Sequence, residues 1–302
     1  MPADPIEIQG PVLVTGANGF IGRHLCSRLA SAGVQVHAIV RSTSLRHPIA
    51  ASEVVVHGVE NSLIEVPALI GDLRPTVVFH LATLFAAQHV PADIQRMVDA
   101  NITFGTLVAD AAARTGARLV HTSSAWQHYG GAEYSPVSLY AATKQAMCDI
   151  ITYFAETAHL EASEVCLFDT YGPDDDRKKL VWLLLEHAAT GAPLPMSSGR
   201  QLVDLTHVND VVSALVEVAT APSPGSRVVV RNGSPLTVRA LVDLVEQVTG
   251  RPLDTQWGTR PSRPREMIDD WVVAGATSSW RPQVSLKDGI AELWTERTAS
   301  RD

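Results

Sequence analysis

The stretch Val12-Leu13-Val14-Thr15-Gly16-Ala17-Asn18-Gly19-Phe20-Ile21-Gly22 decides the fold. An apolar β-branched run enters a turn with three glycines, and an amphipathic stretch, Phe20 to Ala32, leaves it. Glycine is needed where the backbone turns tightly or lies against a pyrophosphate, and a helix start offers N–H groups and partial positive charge to that anion. A glycine pattern by itself is weak. As the first strand-turn-helix of the chain, this one has the context that a dinucleotide site demands. Gly16, Asn18, Gly19, Phe20, Ile21 and Gly22 are therefore candidate cofactor contacts.

The same rhythm repeats outward. Short runs resembling the first strand recur as VQVHAIVR at 34, VVVHG at 54, TVVFHLA at 76, RLVHTSS at 118, EVCLF at 164 and RVVVRNG at 227. Helical spacing of apolar residues marks Ala92 to Thr115, Leu139 to His159 and Val208 to Ala219, with stops at Gly33, Gly116 and Pro173. Near-continuous apolar strands alternating with helices predict an α/β fold, a doubly wound parallel Rossmann sheet covered on both faces. Beyond Pro173 the rhythm loosens and prolines are scattered. We expect a dinucleotide-binding domain over 1–172, with 203–232 returning to it. A smaller C-terminal substrate-binding module, 173–202 and 233–302, should pack over the sheet's carboxyl edge. The run Asp174-Asp175-Asp176-Arg177-Lys178-Lys179 reads as a solvated charge-mixed loop.

Composition excludes several classes of function. Of 302 residues, 24 are Lys or Arg and 32 Asp or Glu, a net charge of −8 that suits neither a nucleic-acid coat nor a basic membrane binder. Apolar runs fall well short of the ~20 residues that a membrane span requires. The opening MPADPIEIQG carries acids where an export signal carries base, so a cytoplasmic chain is expected. Cys26, Cys148 and Cys166 are far apart and the 11 histidines show no ligand spacing, which predicts neither a disulfide framework nor a metal site.

The end of the second strand separates the two nicotinamide cofactors, because an acid there binds the ribose 2′-OH and excludes a 2′-phosphate. No acid occurs from Val36 to Ser44; Arg41 stands there, with Ser42 beside it and Arg46 soon after. A guanidinium suits a phosphate monoester. NADP(H) is the favoured cofactor and NAD(H) the possible one. A solvated Arg41 is the plain alternative.

Tyr140 and Lys144, four apart at the start of a helix, share one face. A nearby ammonium should lower the phenol from ~10 toward neutrality, as a proton donor to a reduced carbonyl requires. The fifth strand ends just before in Thr122-Ser123-Ser124, bringing a hydroxyl to the sheet's carboxyl edge. The expected catalytic set is Ser124, Tyr140 and Lys144, with Ser123 or Thr122 as alternatives for the hydroxyl. Trp126, Gln127 and His128 follow and should line the pocket beside this hydroxyl, Trp126 offering a stacking face and the other two hydrogen-bonding groups.

With the TGANGFIG turn, these residues resemble the extended short-chain dehydrogenase/reductases that act on nucleotide sugars. FHLA, Asn101 in NITFGTL, TYGP at 170, HVND at 207 and SSWRPQVSLKDGI extend the likeness over nearly the whole chain. It implies that Ser124 positions the sugar carbonyl, Tyr140 exchanges its proton, and Lys144 holds the nicotinamide ribose. It further implies cofactor contacts at Leu81, Ala82 and Asn101, and substrate contacts at Thr83, Arg200 and Arg265. Dehydratases of the family place Asp-Glu where this chain has Ala125-Trp126, so dehydration is not expected. The family's arginine before HVND is replaced by Val203-Asp204, which shifts diphosphate binding to Arg200, Arg260, Arg263 or Arg265.

The leading expectation is an NADPH-dependent reductase of a nucleotide-linked 4-keto-6-deoxyhexose. A nucleotide-sugar 4-epimerase with tightly bound NAD is the alternative, followed by other carbonyl substrates such as flavonoid-like ketones and by a non-catalytic redox sensor. Family members dimerise through two long helices. Here Met97, Leu107, Val108, Met147, Ile150, Ile151 and Phe154 would supply the homodimer contact, unless they face only their own sheet.

Overall fold

The computed structural model describes residues 6–41, 53–221, 225, 227–275 and 280–299. Six strands, β1 (Val12–Thr15), β2 (Val36–Arg41), β3 (Val54–Val59), β4 (Val77–His80), β5 (Arg118–Ser124) and β6 (Ala162–Leu167), join Arg227–Val230 in one sheet. The order is 3-2-1-4-5-6 with Arg227–Val230 outermost beside β6, and every pairing is parallel. From β1 the chain first grows toward β3 and then returns to the other side with β4. A crevice opens at that reversal, beyond the carboxyl ends of β1 and β4, where ligands of such sheets bind. All four residues of β1 are buried, as a strand covered on both faces demands.

The helices are α1 (Phe20–Ser31), α2 (Ser62–Leu73), α3 (Pro91–Val98), α4 (Phe104–Thr115), α5 (Leu139–Ala158), α6 (Leu180–Thr190), α7 (Val208–Thr220), α8 (Val238–Thr249) and α9 (Leu286–Ala299). On one face Leu25, Leu29, Val211 and Leu215 of α1 and α7 pack on Val12, Val14 and Val120. On the other, Val108, Met147 and Ile151 of α4 and α5 pack on Leu13, Val78 and Leu119. Each such side chain contributes about 1.5–3 kcal/mol when fully buried. Met97 is buried as well. Four of the seven residues expected at a dimer contact therefore face the chain's own core, leaving Leu107, Ile150 and Phe154 partly exposed beside the exposed Tyr153.

Two elements depart from the sequence pattern. Ala92 to Thr115 is not one helix: a π-turn, Asp99–Thr103, separates α3 from α4 and carries Asn101 inward. Helix α2 was not anticipated, because Pro67 lies within it and only Val66 and Ile70 of its residues are buried.

A third core lies after Tyr171 and joins α6, α8 and α9 through Leu184, Leu185, Leu241, Val245 and Ile290. The buried Asp210 accepts from the backbone N–H groups of Gln283 (2.9 Å) and Val284 (3.0 Å), while Trp280 donates to the Asp210 carbonyl (3.2 Å). The HVND segment and residues 280–284 are thus one structural joint. Asp204, fully buried, binds Arg231 at 2.8 Å and the N–H of Asn232 at 2.7 Å, so the acid in place of the family arginine anchors a strand end. All three cysteines are free and buried, and burial pushes each thiol up to about 12. Among the described residues no helix is long and apolar enough to cross a membrane.

Candidate active site

The glycine turn is closed to side chains. Gly16 takes φ +69°, and a Cβ there would stand 2.7 Å from the Ala82 backbone nitrogen, while one on Gly22 would collide with the Gly16 carbonyl. No side chain caps α1 at Gly19, and its first turn holds no acid, so a dinucleotide pyrophosphate fits this helix start. Asn18 offers its carbonyl to Arg23 (3.0 Å). Phe20 is buried between His24 and the Arg177 guanidinium, 4.1 Å from its ring centre, and Ile21 packs on the α1/α7 core. These two can therefore offer the cofactor their backbone rather than their side chains. At the end of β4, the Leu81 N–H donates to the Thr15 carbonyl and the Ala82 N–H to the Thr15 hydroxyl, both at 3.3 Å.

Arg41 is exposed at the end of β2, opposite Val59 of β3. Ser42 and Arg46 lie outside the described residues. Arg177 is no solvated loop residue: it grips Asp175 (2.6 Å) and the Thr170 carbonyl (2.9 Å) besides covering Phe20. Arg23 and His24 reach the carbonyls of Asp174 (2.7 Å) and Pro173 (3.1 Å) from α1. The 173–177 segment is a latch on the glycine-turn helix, because the carbonyls of Pro173 and Asp174 and the Arg177 guanidinium meet partners that only the tertiary fold supplies.

Ser138 caps α5, accepting from the Ala141 N–H at 3.3 Å, which starts the helix just before Tyr140 and sets Lys144 one turn on. Lys144 is buried, and loss of hydration brings its ammonium down to about 8. Tyr140 is partly exposed, yet burial of its phenol dominates and raises it to about 12, with a hydrogen bond to Thr83 opposing. The expected lowering by Lys144 is not found. Desolvation outweighs the Thr83 hydrogen bond and the Arg177 guanidinium that oppose it, and the phenol stays protonated through the neutral range.

The strand end separates the three candidate hydroxyls. Val120 belongs to the α1/α7 core and Leu119 to the opposite one, so alternation sends Thr122 toward α1 and Ser123 toward α5. The Ser123 hydroxyl donates to Glu164 of β6. Ser124 accepts from the Trp126 N–H at 3.3 Å, which leaves its own O–H available at the mouth of the strand. Phe85 bridges this end to the tyrosine, 4.9 Å from the Tyr140 ring and 5.5 Å from that of Trp126.

Trp126 lines a cavity of about 520 Å³ together with Asp169, Arg263, Arg265 and Trp271. Gln127 and His128 do not reach it. Gln127 is fully buried, its oxygen holding the Ser124 N–H (2.9 Å) and its amide the Gln145 oxygen (2.8 Å), while His128 Nδ1 turns to the Glu133 carbonyl (2.7 Å). Two 3₁₀ turns, Ala125–Gln127 and Tyr129–Gly131, follow the strand end, and both side chains are buried there. Arg200 is exposed and does not line the cavity. Arg263 stacks 5.2 Å over Trp126, and Arg265 binds the Pro136 carbonyl (2.7 Å) while covering Tyr129.

Phe85 and Asp169 escaped the sequence reading, and Lys179, read as solvated, is drawn into the site as well. Burial raises the Asp169 carboxyl, opposed by Lys179 and Arg263, and Lys179 sits 5.1 Å over Phe85. Asp169 begins the TYGP strand and was legible as an acid at a sheet edge; Phe85 and Lys179 carry no local signal. Asn101 is also recast. Its oxygen accepts from the Leu84 N–H (2.7 Å) and the Thr83 hydroxyl (3.0 Å), and its nitrogen donates to the Leu84 carbonyl (3.0 Å) and Thr143 (2.9 Å).

Residues 12–230 match the model of the NAD dependent epimerase/dehydratase family. A UDP-glucose 4-epimerase of Mycolicibacterium smegmatis is 28% identical over 309 residues, 93% of this chain and 96% of that one. A dTDP-6-deoxy-L-talose 4-dehydrogenase (NAD(P)(+)) of Kitasatospora kifunensis is 27% identical over 323 residues, 98% of both chains. The solved structure of MoeE5 in complex with UDP-glucuronic acid and NAD superposes with a TM-score of 0.82 at 26% identity, covering 96% of this chain and 100% of that one.

Proposed function

The chain belongs to the NAD dependent epimerase/dehydratase family, and from that premise we propose that it is an NADPH-dependent reductase of a nucleotide-linked 4-keto-6-deoxyhexose. The observation that carries this reading is the end of β2, where the exposed Arg41 replaces an acid and suits a ribose 2′-phosphate. The relative that oxidises a 6-deoxyhexose at C4 with either cofactor supports it.

The nicotinamide, when bound, supplies the hydride. The chain supplies the proton: Ser124 donates a hydrogen bond to the sugar carbonyl and Tyr140 passes its phenolic proton to the oxygen as it becomes an alkoxide. A phenol held protonated at neutral pH is the form that reduction consumes first. Lys144 then stabilises the phenolate. Arg263 and Arg265 take the diphosphate that the missing arginine before HVND no longer holds, and Trp126 stacks on the hexose. We keep a homodimer as part of the reading, resting on Leu107, Ile150, Phe154 and Tyr153; light scattering at micromolar concentration tests it.

The 4-epimerase relative favours a second reading, in which NAD stays bound and the hydride returns to the opposite face. The fate of the hydride separates the two. With NADPH deuterated on the transferred face, a reductase places the label on C4 of the sugar and consumes cofactor one for one. Inversion at C4 of an unoxidised sugar nucleotide, with bound NAD and no added cofactor, installs the epimerase instead.

A further inference from the structure

Behind Lys144, away from the cleft, lies a buried polar cluster that the reaction above does not use. Glu164 on β6 stands in register with His121 on β5, and the two meet Cys148 of α5 with their donor atoms within 4.8 Å of one another. Cys148 is one turn beyond Lys144 on the same buried face of α5. The Ser123 hydroxyl donates to Glu164, and Arg227 of the outermost strand binds the same carboxylate oxygen at 2.8 Å. The Glu164 side chain is only 13% exposed. The carboxylate of this cluster is already engaged by the Arg227 guanidinium and the Ser123 hydroxyl.

A carboxylate in this position is costly to bury unless it serves a nearby positive charge. The groups around Lys144 can be assigned in turn. His80 of β4 and His121 of β5 are both held neutral by burial, His80 down to about 3 and His121 well below the usual range. Cys148 and Cys166 are neutral thiols pushed up to about 12. Tyr140 is a neutral phenol. Among the described residues this leaves Glu164 as the negative charge acting on Lys144, with the Arg227 guanidinium bound to that same carboxylate and partly neutralising it.

We propose that Glu164, clamped by Arg227 and the Ser123 hydroxyl beneath α5, is a positioning residue whose charge keeps Lys144 an ammonium at neutral pH. Desolvation alone would strip the proton from a lysine this buried. Glu164 opposes that loss without touching cofactor or substrate, and Arg227 limits how far it does so. Ser123 is thereby a ligand of the carboxylate rather than of the sugar. The inference rests on the proposed roles of Tyr140 and Lys144, but its direct readout does not depend on turnover.

The chain has four lysines, Lys144, Lys178, Lys179 and Lys287, so the lysine Cε signals of the full-length protein are few enough to titrate by NMR after ¹³C labelling. Lys144→Met assigns the buried one. Glu164→Gln should lower the Lys144 midpoint by about one pH unit, and Arg227→Gln should raise it, while Lys178 and Lys287 stay unmoved. The opposite signs are the test, since loosened packing would move both variants alike. If Glu164→Gln fails to fold, Arg227→Gln decides by itself. An unchanged or lowered midpoint in Arg227→Gln, or an unchanged one in Glu164→Gln, overturns the proposal. Where turnover is measurable, the alkaline limb of kcat should follow the same shifts. A wild type that reduces no 4-keto sugar nucleotide would instead count against the function and leave the titration standing.

Discussion

The Asn101 amide donates to the Thr143 hydroxyl at 2.9 Å, and Thr143 passes the bond to the Tyr140 carbonyl at 2.8 Å. The π-turn that holds Asn101 is in this way bolted to the first turn of α5 and to the Thr83–Leu84 backbone that faces it. Both amide protons and the oxygen are spent on protein. Asn101→Ala should cost about 1–3 kcal/mol through the partly buried Leu84 N–H left unpaired. It should also lower kcat by ~10-fold or more with cofactor affinity nearly unchanged, because the loss falls on the setting of Tyr140. Urea unfolding and cofactor titration check this; an intact stability with collapsed cofactor affinity would make Asn101 a direct ligand.

Arg41→Ala should remove most of a preference for NADPH over NADH, with the affinity for NADH little altered. Titration of both cofactors against both proteins gives the answer, and equal affinities in the unmutated chain would refute the assignment.

Tyr140→Phe keeps the ring against Phe85 and deletes the proton donor, so turnover should fall by ~10² or more while cofactor still binds. Ser124→Ala should fall comparably, and Ser123→Ala much less, since its hydroxyl is turned to Glu164. Equal losses in the two serine variants would return the assignment to the open choice that the sequence leaves.

Arg263→Ala and Arg265→Ala should raise KM for the sugar nucleotide by roughly tenfold each, the loss of about 1.4 kcal/mol of binding. Arg200→Ala, off the cavity, should change neither KM nor kcat. Steady-state kinetics on one substrate suffices to compare them.

His80 is buried, bonded to the Thr15 hydroxyl at 2.9 Å, and held down to about 3 against an ordinary 6.5. Between those values the unfolded chain takes up a proton that the folded one refuses. Stability should therefore be fully present above pH 6.5 and fall as pH drops toward 3, at up to about 1.4 kcal/mol per pH unit from this group. His80→Gln should flatten the acid limb of urea midpoint against pH.

What the sequence disclosed and what it withheld have separate causes. The sheet was legible because a strand covered on both faces must be mostly apolar, as Val12 to Val14 and Val77 to Phe79 are. Tyr140 with Lys144 was legible because their spacing is a property of one helix. Gln127 and His128 could not be oriented from the sequence, because two tight turns follow the strand end and polarity alone does not say which way a side chain faces. Arg177 read as solvated for the same reason: its partners Thr170 and Phe20 are brought to it by folding. The direction of the Tyr140 shift was missed because proximity in sequence reports the cation and is silent on the surrounding protein.

The three sealed thiols make the chain its own unfolding clock. Cys26 lies in α1, Cys148 in α5 and Cys166 in β6, one in a helix on each side of the sheet and one within it. With the thiolate suppressed and access closed, an alkylating reagent can mark each position only while that region is open. Pulse labelling followed by peptide mass mapping would then time the opening of α1, α5 and β6 separately, in the unmodified protein and with no added dye. A ligand that grips the glycine turn should slow Cys26 first, and one that settles over Tyr140 should slow Cys148.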